Sequence, residues 1–319
     1  MARQFVFKTT AEEVTVGLDL KGKSAVVTGG NSGIGLETCR VLSKAGVEVY
    51  LCARNKEMGE GAVKAIRDEF PEAKLYLHTL NLADLVQVQQ SADALLKLCP
   101  HIDMVICNAG IMALPDLQRT PQGFEMQSGV NWLGHMHFVN CLLPRMKEQK
   151  TPSRIVLVSS LAHMMSGFDI NDLNWEKRKY SQWGSYGQSK MANILHGVQL
   201  AKMLEGTQVR VFSLHPGNIK TNLARNLSSW MMGTFFILGP WLPKPLKTKN
   251  IPQGAATQVY AATAPELESF KKGEYLDDCK VATPKLPPNH EELAAKLWAA
   301  GEEFIQKALT SAATATEAK

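Results

Sequence analysis

The amino-acid sequence predicts a single α/β domain in which helices cover both faces of a doubly wound parallel sheet, a Rossmann-like fold. The first observation is that short apolar runs rich in β-branched residues alternate with longer runs that carry hydrophobic residues at helical spacing. The second is size: 319 residues with 45% hydrophobic content can bury one large core, and no linker-like stretch divides the chain. Regular alternation of strands and helices is typical of parallel sheets.

The predicted elements follow in order along the chain. Apolar runs rich in β-branched residues predict strands at 24–27, 47–52, 75–79, 104–107, 154–159 and 209–214. Helical spacing of hydrophobic residues predicts helices at 36–42, 56–70, 84–98, 123–146, 186–204, 253–262 and 291–308. Ahead of the first strand, Thr10 and Glu13 have the spacing of a capping box, which predicts a short helix start.

These elements predict one main domain with an extension at each end. We expect an N-terminal extension with its short helix over residues 1–19 and the domain itself over residues 20–308. A flexible tail rich in Ser, Ala and Thr is expected over residues 309–319.

Composition argues against several classes of protein. The net charge of +5 is small for this length, and the short basic runs are typical of solvated faces, so we expect no nucleic-acid partner. The six cysteines are scattered without a CxxC pair, which predicts reduced thiols in a reducing compartment. The sequence shows neither a signal peptide nor a run of about 18 apolar residues that could span a membrane, so we expect a cytoplasmic protein.

A glycine-rich segment lies between the first predicted strand and the helix that follows it. Gly29, Gly33 and Gly35 have the spacing G-x-x-x-G-x-G, with Asn31, Ser32 and Ile34 between them. Glycines let the backbone turn sharply and let a pyrophosphate approach it, and a helix N-terminus favours negative charge. The segment therefore predicts a dinucleotide cradle, although on its own a glycine turn without a ligand is also open.

Four further motifs are predicted to meet this cradle. In a doubly wound sheet, ligands bind at the carboxyl ends of the strands. Polar or turn-forming residues follow the predicted strands at Arg54, Asn108-Ala109-Gly110, Ser159-Ser160 and Pro216-Gly217. The motifs are far apart in sequence, yet this topology predicts that they line one crevice.

Tyr186 and Lys190 stand four residues apart on a predicted helix, so they project from the same face. A neighbouring ammonium favours the phenolate of a tyrosine, and we expect it to bring the tyrosine pKa closer to the range of a general acid or base. The pair predicts proton transfer to a carbonyl oxygen as a hydride reaches its carbon. Such spacing is common on helices, and the surrounding motifs support this interpretation.

Together these motifs resemble the short-chain dehydrogenase/reductase family, and the resemblance covers the chain from Leu20 to about Lys280. It implies a catalytic tetrad of Asn131, Ser160, Tyr186 and Lys190, in which the asparagine holds a water linked to the lysine. Ser160 is preferred to Ser159 because the family's serine is the second of such a pair. The resemblance further implies that the cofactor is held by Gly29, Asn31, Ser32, Gly33, Ile34, Gly35, Arg54, Asn81, Leu82, Asn108, Ala109, Gly110, Tyr186, Lys190, Pro216, Gly217, Ile219 and Thr221.

The cofactor is expected to be NADP(H). Ala53 ends the second strand where an acid would select NAD, and Arg54 can pair with a 2′-phosphate. Two features depart from the family's commonest pattern. Asn81 stands where many members have an aspartate against adenine. The spacing from Ser160 to Tyr186 is 26 residues, which is longer than the family's commonest spacing.

The long spacing and the Tyr186 to Leu195 segment resemble the retinol-dehydrogenase-like group, and the catalytic part of WW-domain oxidoreductases and a chloroplast-envelope dehydrogenase look similar. This implies an oxidoreductase that interconverts a lipophilic carbonyl and its alcohol, of the retinoid, steroid, terpenoid or fatty aldehyde class. A redox-sensing or scaffold protein with little turnover is the alternative. A homodimer and a peripheral contact with an intracellular membrane also stay open.

The resemblance implies that Pro216, Gly217 and Thr221 belong to the segment on the nicotinamide side of the cofactor, and a stretch rich in apolar side chains follows that segment. We expect residues 222–250 to form a substrate lid in which Trp230, Phe235 and Phe236 meet the substrate, together with Met164 after the fifth strand. Membrane contact and ordinary core packing are alternatives for this stretch. No metal is expected, because carboxylates and thiols do not stand at metal-ligand spacing from His135, His137, His163, His196 and His215.

Overall fold

The computed structural model describes residues 3–165, 167–219 and 247–317, and within them the sheet dominates the fold. Thr221, Trp230, Phe235, Phe236 and most of the expected lid lie outside the described residues. The strands are β1 (Ser24–Thr28), β2 (Glu48–Ala53), β3 (Leu75–Thr79), β4 (Met104–Cys107), β5 (Ser153–Val158), β6 (Val209–His215), β7 (Asn218–Ile219), β8 (Thr248–Lys249), β9 (Tyr275–Asp277) and β10 (Lys280–Ala282).

Eight of these strands form one sheet in the order β10-β9-β6-β5-β4-β1-β2-β3, while β7 and β8 pair with each other in parallel. All neighbours in the large sheet are parallel except β10, which returns antiparallel to β9. The strand order reverses at β1, which pairs with β2 on one side and β4 on the other. This is the topological switch point beyond whose carboxyl ends ligands bind in such sheets, so the predicted fold class is confirmed.

The helices fall close to their predicted positions. A π-helical turn lies at Gly129–Leu133, and a 3-10 turn at Leu161–Met165 follows β5. The helices are α1 (Ala11–Thr15), α2 (Gly33–Lys44), α3 (Lys56–Glu69), α4 (Leu85–Leu98), α5 (Met126–Ser128), α6 (Gly134–Glu148), α7 (Gln182–Met203), α8 (Ile251–Thr263) and α9 (His290–Glu317). None of the helices in the described ranges is long and apolar enough to cross a membrane.

Both faces of the sheet are buried. Val26 packs into a core formed with α4, α6, α7 and α9, whereas its neighbour Val27 packs into a second core formed with α1, α2, α3 and α8. Successive strand residues point to opposite faces, so a continuous apolar strand needs helices on both sides. This explains why the predicted strands are uninterrupted apolar runs.

Helices lie near both ends of the described chain, α1 near the N-terminus and α9 near the C-terminus. At the N-terminus, Thr10 and Glu13 form the predicted capping box at the start of α1. At the C-terminus, where a flexible tail is expected from residue 309, α9 continues to Glu317. Alanines favour the helix, and the Ser311 hydroxyl donates to the Lys307 carbonyl at 2.9 Å, within the same helix.

Candidate active site

The glycine turn after β1 is too tight for side chains. Gly29 and Gly33 have φ of +65° and +56°, a region that favours glycine. A β-carbon placed on Gly35 would lie 2.3 Å from the Gly29 carbonyl oxygen and 2.4 Å from Asn108 Nδ2. The glycines therefore let the turn fold tightly on itself and pack against Asn108, a shape that fits a phosphate cradle.

The first turn of α2 is suited to an anion. Its N-cap residue, Ser32, makes no side-chain capping bond, and no acid stands in the first turn. The free N–H groups and the helix dipole thus favour a negative charge. Asn31, Ser32 and Ile34 are half-buried around this turn. These features fit a dinucleotide phosphate at the place where the sequence predicted one.

The strand ends at the switch point are bonded to each other. The Thr28 hydroxyl oxygen accepts from the backbone N–H groups of Asn108 and Ala109, both at 2.9 Å. The Asn108 amide donates in return to the Thr28 carbonyl at 2.8 Å. Gln258, from α8, donates to Thr38 on α2 at 2.5 Å. The cradle is therefore held by the neighbouring strand and by a distant helix, and the sequence did not reveal the role of Gln258.

His135 extends this network beneath the site. Its Nδ1 lies 3.0 Å from the Asn131 carbonyl oxygen, which can only accept, so Nδ1 carries the hydrogen. Its Nε2 lies 2.8 Å from the Thr28 hydroxyl and must accept from it. Burial lowers the pKa of His135 to about 4, with a smaller contribution from the Lys190 charge. His135 is thus a neutral link between the glycine turn and Asn131.

Asn131 lies in the π-helical turn and is fully buried. Its side-chain oxygen accepts from the Ile111 N–H at 2.8 Å, and its amide donates to the Ile111 carbonyl and to the Ser189 hydroxyl, both at 2.9 Å. π-helical turns often occur at functional sites because they re-aim one residue. Here the turn joins Asn131 to the segment after β4 and to α7. A β-carbon on Gly110 would lie 3.2 Å from Asn131 Oδ1 and 3.5 Å from Lys190 Nζ. Glycine at this position therefore leaves space beside these two polar groups.

Helix α7 presents Tyr186 and Lys190 on the face that meets the end of β5. Both side chains are buried, and Lys190 Nζ lies 5.6 Å from the centroid of the Tyr186 ring. The ammonium donates to the Val158 carbonyl at 3.0 Å, which fixes the lysine at the strand end. The two groups therefore meet as the helical spacing predicted.

The two serines after β5 have different partners. The Ser159 hydroxyl donates to the Lys190 carbonyl at 2.7 Å, so it anchors helix α7 to the strand. The Ser160 hydroxyl hydrogen-bonds the Tyr186 side chain and accepts from the Ala162 N–H at 3.2 Å. The geometry therefore places Ser160, and not Ser159, beside the tyrosine.

Burial decides the protonation of Tyr186 and Lys190. Burial raises the pKa of Tyr186 to about 12, and its hydrogen bond with Ser160 lowers it only in part. Burial also lowers the pKa of Lys190 to about 8. The expectation that the ammonium brings the tyrosine pKa down is thus wrong, because removing the phenolate from water raises the pKa. At neutral pH, Tyr186 carries a proton that it can donate.

The remaining predicted cofactor residues border the same crevice. Arg54 follows β2 with its side chain exposed, while Asn81 and Leu82 follow β3. The Asn81 oxygen accepts from the Ala83 N–H at 3.3 Å and keeps a second lone pair. Pro216 and Gly217 follow β6, and Ile219 ends β7.

Met164 lies in the 3-10 turn after Ser160 and is 46% exposed. Its neighbour Met165 is 63% exposed. The structure therefore leaves two flexible apolar side chains at the surface a few residues from Ser160. Among the described residues, no group of three His, Cys, Asp or Glu side chains could hold a metal ion.

The long spacing before Tyr186 forms a loop built around Asp172. This carboxylate accepts from three successive backbone N–H groups, those of Glu176, Lys177 and Arg178, at 2.7 to 3.2 Å. Arg178 lies 4.0 Å above the Trp175 ring and also hydrogen-bonds Gln188 on α7. The loop thus supports the helix that carries Tyr186. The sequence showed its length but not this support, because its contacts join residues without a periodic pattern.

The fold and these residues together define a dinucleotide-binding oxidoreductase site. The chain matches the family model described as short chain dehydrogenase over residues 23–232, and it belongs to that family. Members of this family use NAD(P) cofactors.

Comparisons with individual proteins agree. The chain is 37% identical over 297 residues to "Retinol dehydrogenase 13" of Mus musculus, covering 91% of this chain and 86% of that protein. It is 38% identical over 303 residues to "Short-chain dehydrogenase TIC 32 B, chloroplastic" of Brassica napus, covering 91% of each. A crystal structure of an uncharacterized protein from Mycobacterium Paratuberculosis superposes with a TM-score of 0.71 at 31% identity, covering 92% of this chain and 97% of that one. The chain is therefore an oxidoreductase related to retinol dehydrogenases.

Proposed function

We propose that this protein is an NADP(H)-dependent oxidoreductase that interconverts a lipophilic carbonyl compound and its alcohol, with Tyr186 as the proton donor. The observation that carries the proposal is the meeting of Tyr186, Lys190 and Ser160 at the end of β5, next to the glycine cradle at the switch point. The retinol dehydrogenase relatives support the same class of substrate.

The roles of the side chains follow from their protonation and position. A bound nicotinamide would supply or accept the hydride. Tyr186, protonated at neutral pH, donates its proton to the carbonyl oxygen during reduction. The Ser160 hydroxyl, whose interaction with Tyr186 lowers the tyrosine pKa in part, would hold the same oxygen. Lys190 provides a positive charge near the ring, and its bond to the Val158 carbonyl keeps that charge in place.

Charge at the end of β2 supports NADP(H) over NAD(H). Ala53 is buried at the strand end, and no acid occupies the position that would hold a ribose 2′-hydroxyl. The exposed Arg54 guanidinium follows directly and makes no ion pair with any residue in the described ranges. A free guanidinium is suited to a 2′-phosphate because it can donate two parallel hydrogen bonds.

The lipophilic substrate class rests on two features besides the relatives. Met164 and Met165 leave apolar side chains exposed beside the serine. The sequence from Trp230 to Leu242 is rich in Trp, Met, Phe, Ile and Leu, and it follows Gly217 closely along the chain. Apolar side chains near the reacting carbonyl would favour long or polycyclic substrates because binding removes apolar surface from water.

The proposal is tested by following nucleotide oxidation with purified protein. The substrates are retinal, steroid ketones, quinones and aliphatic aldehydes of increasing length, each with NADPH and with NADH. We expect kcat/KM to rise with substrate hydrophobicity and to be higher with NADPH. Equal rates with short and long aldehydes would contradict the lipophilic substrate class. Tight NADPH binding without turnover of any substrate would favour the redox-sensing or scaffold alternative.

A further inference from the structure

A buried ion pair lies beside the segment that follows β6. Lys249 Nζ lies 2.5 Å from Asp278 Oδ1, and their side chains are 2% and 15% exposed. Removing two charges from water is costly, and such pairs are often no more stabilising than apolar side chains of the same size. The position of this pair therefore calls for an explanation other than stability.

Lys249 meets the expected nicotinamide-side turn at two residues, Gly217 through its side chain and Ile219 through its backbone. Its backbone lies in β8, in register with Ile219 of β7. Its stem lies against Gly217, where a β-carbon would come within 2.7 Å of Lys249 Cδ. Gly217 has a φ of +96°, so the chain turns sharply under the lysine. Lys249 thus covers Gly217 and is paired with Ile219 in the adjacent strand.

The partner carboxylate lies at a hairpin tip. Asp278 and Cys279 form the two-residue tip of the β9–β10 hairpin, with φ of +50° and +56°. Hairpin tips of this kind favour Asn or Asp followed by Gly, so Asp278 fits its position, whereas Cys279 is strained. The Cys279 N–H donates to the Thr257 hydroxyl on α8 at 3.4 Å. The tip is thereby fixed to a helix, and Asp278 is presented to Lys249.

Two neighbours complete the surroundings of the lysine. Lys249 Nζ lies 5.2 Å from the centroid of the Phe7 ring, which comes from the N-terminal extension. Burial, with a smaller contribution from the Lys249 charge, lowers the pKa of His215 to about 3. His215 is therefore neutral and does not compete for the carboxylate. Asp278 is the group of opposite charge that meets the ammonium.

We propose that the Lys249–Asp278 pair is a clasp that positions the Pro216–Ile219 turn for the nicotinamide half of the cofactor. Lys249 and Asp278 are positioning residues, since they act through the turn. The proposal rests on the proposed function, because the turn is expected on the nicotinamide side of the cofactor proposed there. Without the clasp, only a fraction of molecules would hold the turn in its binding conformation, and apparent affinity falls by that fraction.

The test compares two ligands on the full-length protein. NADPH reaches both halves of the cofactor site, whereas adenosine 2′,5′-bisphosphate carries the phosphate without the nicotinamide. Lys249→Met keeps the stem over Gly217 and removes the charge, and Asp278→Asn keeps a residue that tolerates positive φ. In the double variant, neither Lys249 nor Asp278 keeps a charge without the other, so stability should return toward that of the wild type.

We expect the double variant to bind NADPH at least about tenfold more weakly while its affinity for the bisphosphate is unchanged, as a loss of turn population requires. The matched control is Asp103→Asn, which breaks the Lys23–Asp103 pair (2.8 Å) at the opposite end of the sheet. It should lower stability without changing the ratio of the two affinities. Wild-type affinity for NADPH in the double variant, or an equal loss for both ligands, overturns the clasp.

Hydrogen exchange separates this proposal from the proposed function. Amide exchange at Gly217, Asn218 and Ile219 should be faster in the double variant than in the wild type, with or without nucleotide. If the wild type binds neither ligand, the proposed function fails, and the exchange result alone decides the clasp. Unchanged exchange at these three amides contradicts it.

Discussion

Replacing His196 with leucine should raise stability and reduce the sensitivity of the fold to acid. His196 lies on α7, is 2% exposed and packs 5.5 Å from the Trp298 ring of α9. Among the described residues, neither ring nitrogen has a hydrogen-bond partner, and burial lowers the pKa of His196 from 6.5 to about 3, with a further contribution from His135. The folded protein therefore keeps His196 neutral with an unpaired N–H group.

The sign of the pH effect follows from these pKa values. The unfolded chain takes up a proton at His196 below a pKa of 6.5, whereas the folded protein does not until a pKa of about 3. Acid therefore favours unfolding, and stability falls as the pH drops below 6.5. At pH 5, this single group costs about 2 kcal/mol relative to pH 7.5, since each unit of pH below the unfolded pKa contributes about 1.4 kcal/mol.

His196→Leu removes both the proton uptake and the unpaired donor. An unsatisfied buried donor costs about 1–3 kcal/mol, and the imperfect fit of leucine returns up to about 1.5 kcal/mol of this. Urea unfolding followed by tryptophan fluorescence at pH 7.5 and pH 5 measures both effects. We expect the variant to lose about 2 kcal/mol less than the wild type between the two pH values. An identical loss in both proteins would show that His196 is not held neutral in the fold.

Three further predictions concern the site. Tyr186→Phe should lower kcat by about 100- to 10,000-fold with nearly unchanged NADPH affinity, because only the proton donor is lost; retention of a tenth of kcat would refute this role. Gly35→Ala should weaken NADPH binding at least about tenfold in a titration, because the new methyl group collides with the Gly29 carbonyl, whereas Gly61→Ala, with open space around it, should stabilise α3 by about 1 kcal/mol and leave binding unchanged. Arg54→Ala should reduce the ratio of kcat/KM for NADPH to that for NADH, and an unchanged ratio would assign the preference elsewhere.

The sequence predicted the sheet and the meeting of the motifs because both follow from local patterns. Strands buried on both faces must be apolar throughout, so β1, β4 and β5 were visible as uninterrupted runs. Once the sheet is parallel, every carboxyl end lies at one edge. Motifs as distant as Gly29 and Tyr186 then meet without any long-range information.

Features that depend on side-chain packing were not visible. A continuous helix was predicted from 123 to 146, yet a π-helical turn places Asn131 between α5 and α6, and its cause is the fit to Ile111 and Ser189. The β9–β10 hairpin was missed because Cys279 stands where a glycine is typical of such a tip. The tyrosine pKa was predicted with the wrong direction because spacing gives proximity but not burial.

Burial of Tyr186 sets the protonation state from which the proposed reaction starts. A pKa of about 12 keeps Tyr186 protonated at pH 7, which is the form that a carbonyl oxygen needs for reduction. Oxidation of an alcohol requires the phenolate, whose formation at pH 7 costs roughly 7 kcal/mol at such a pKa. Reduction leaves the same phenolate once the proton is donated, so this cost enters the barrier of both directions and does not select one of them. A positive charge close to the phenol therefore lowers the barrier of both directions in the proposed reaction, and Lys190, fixed near the ring by its bond to the Val158 carbonyl, supplies such a charge.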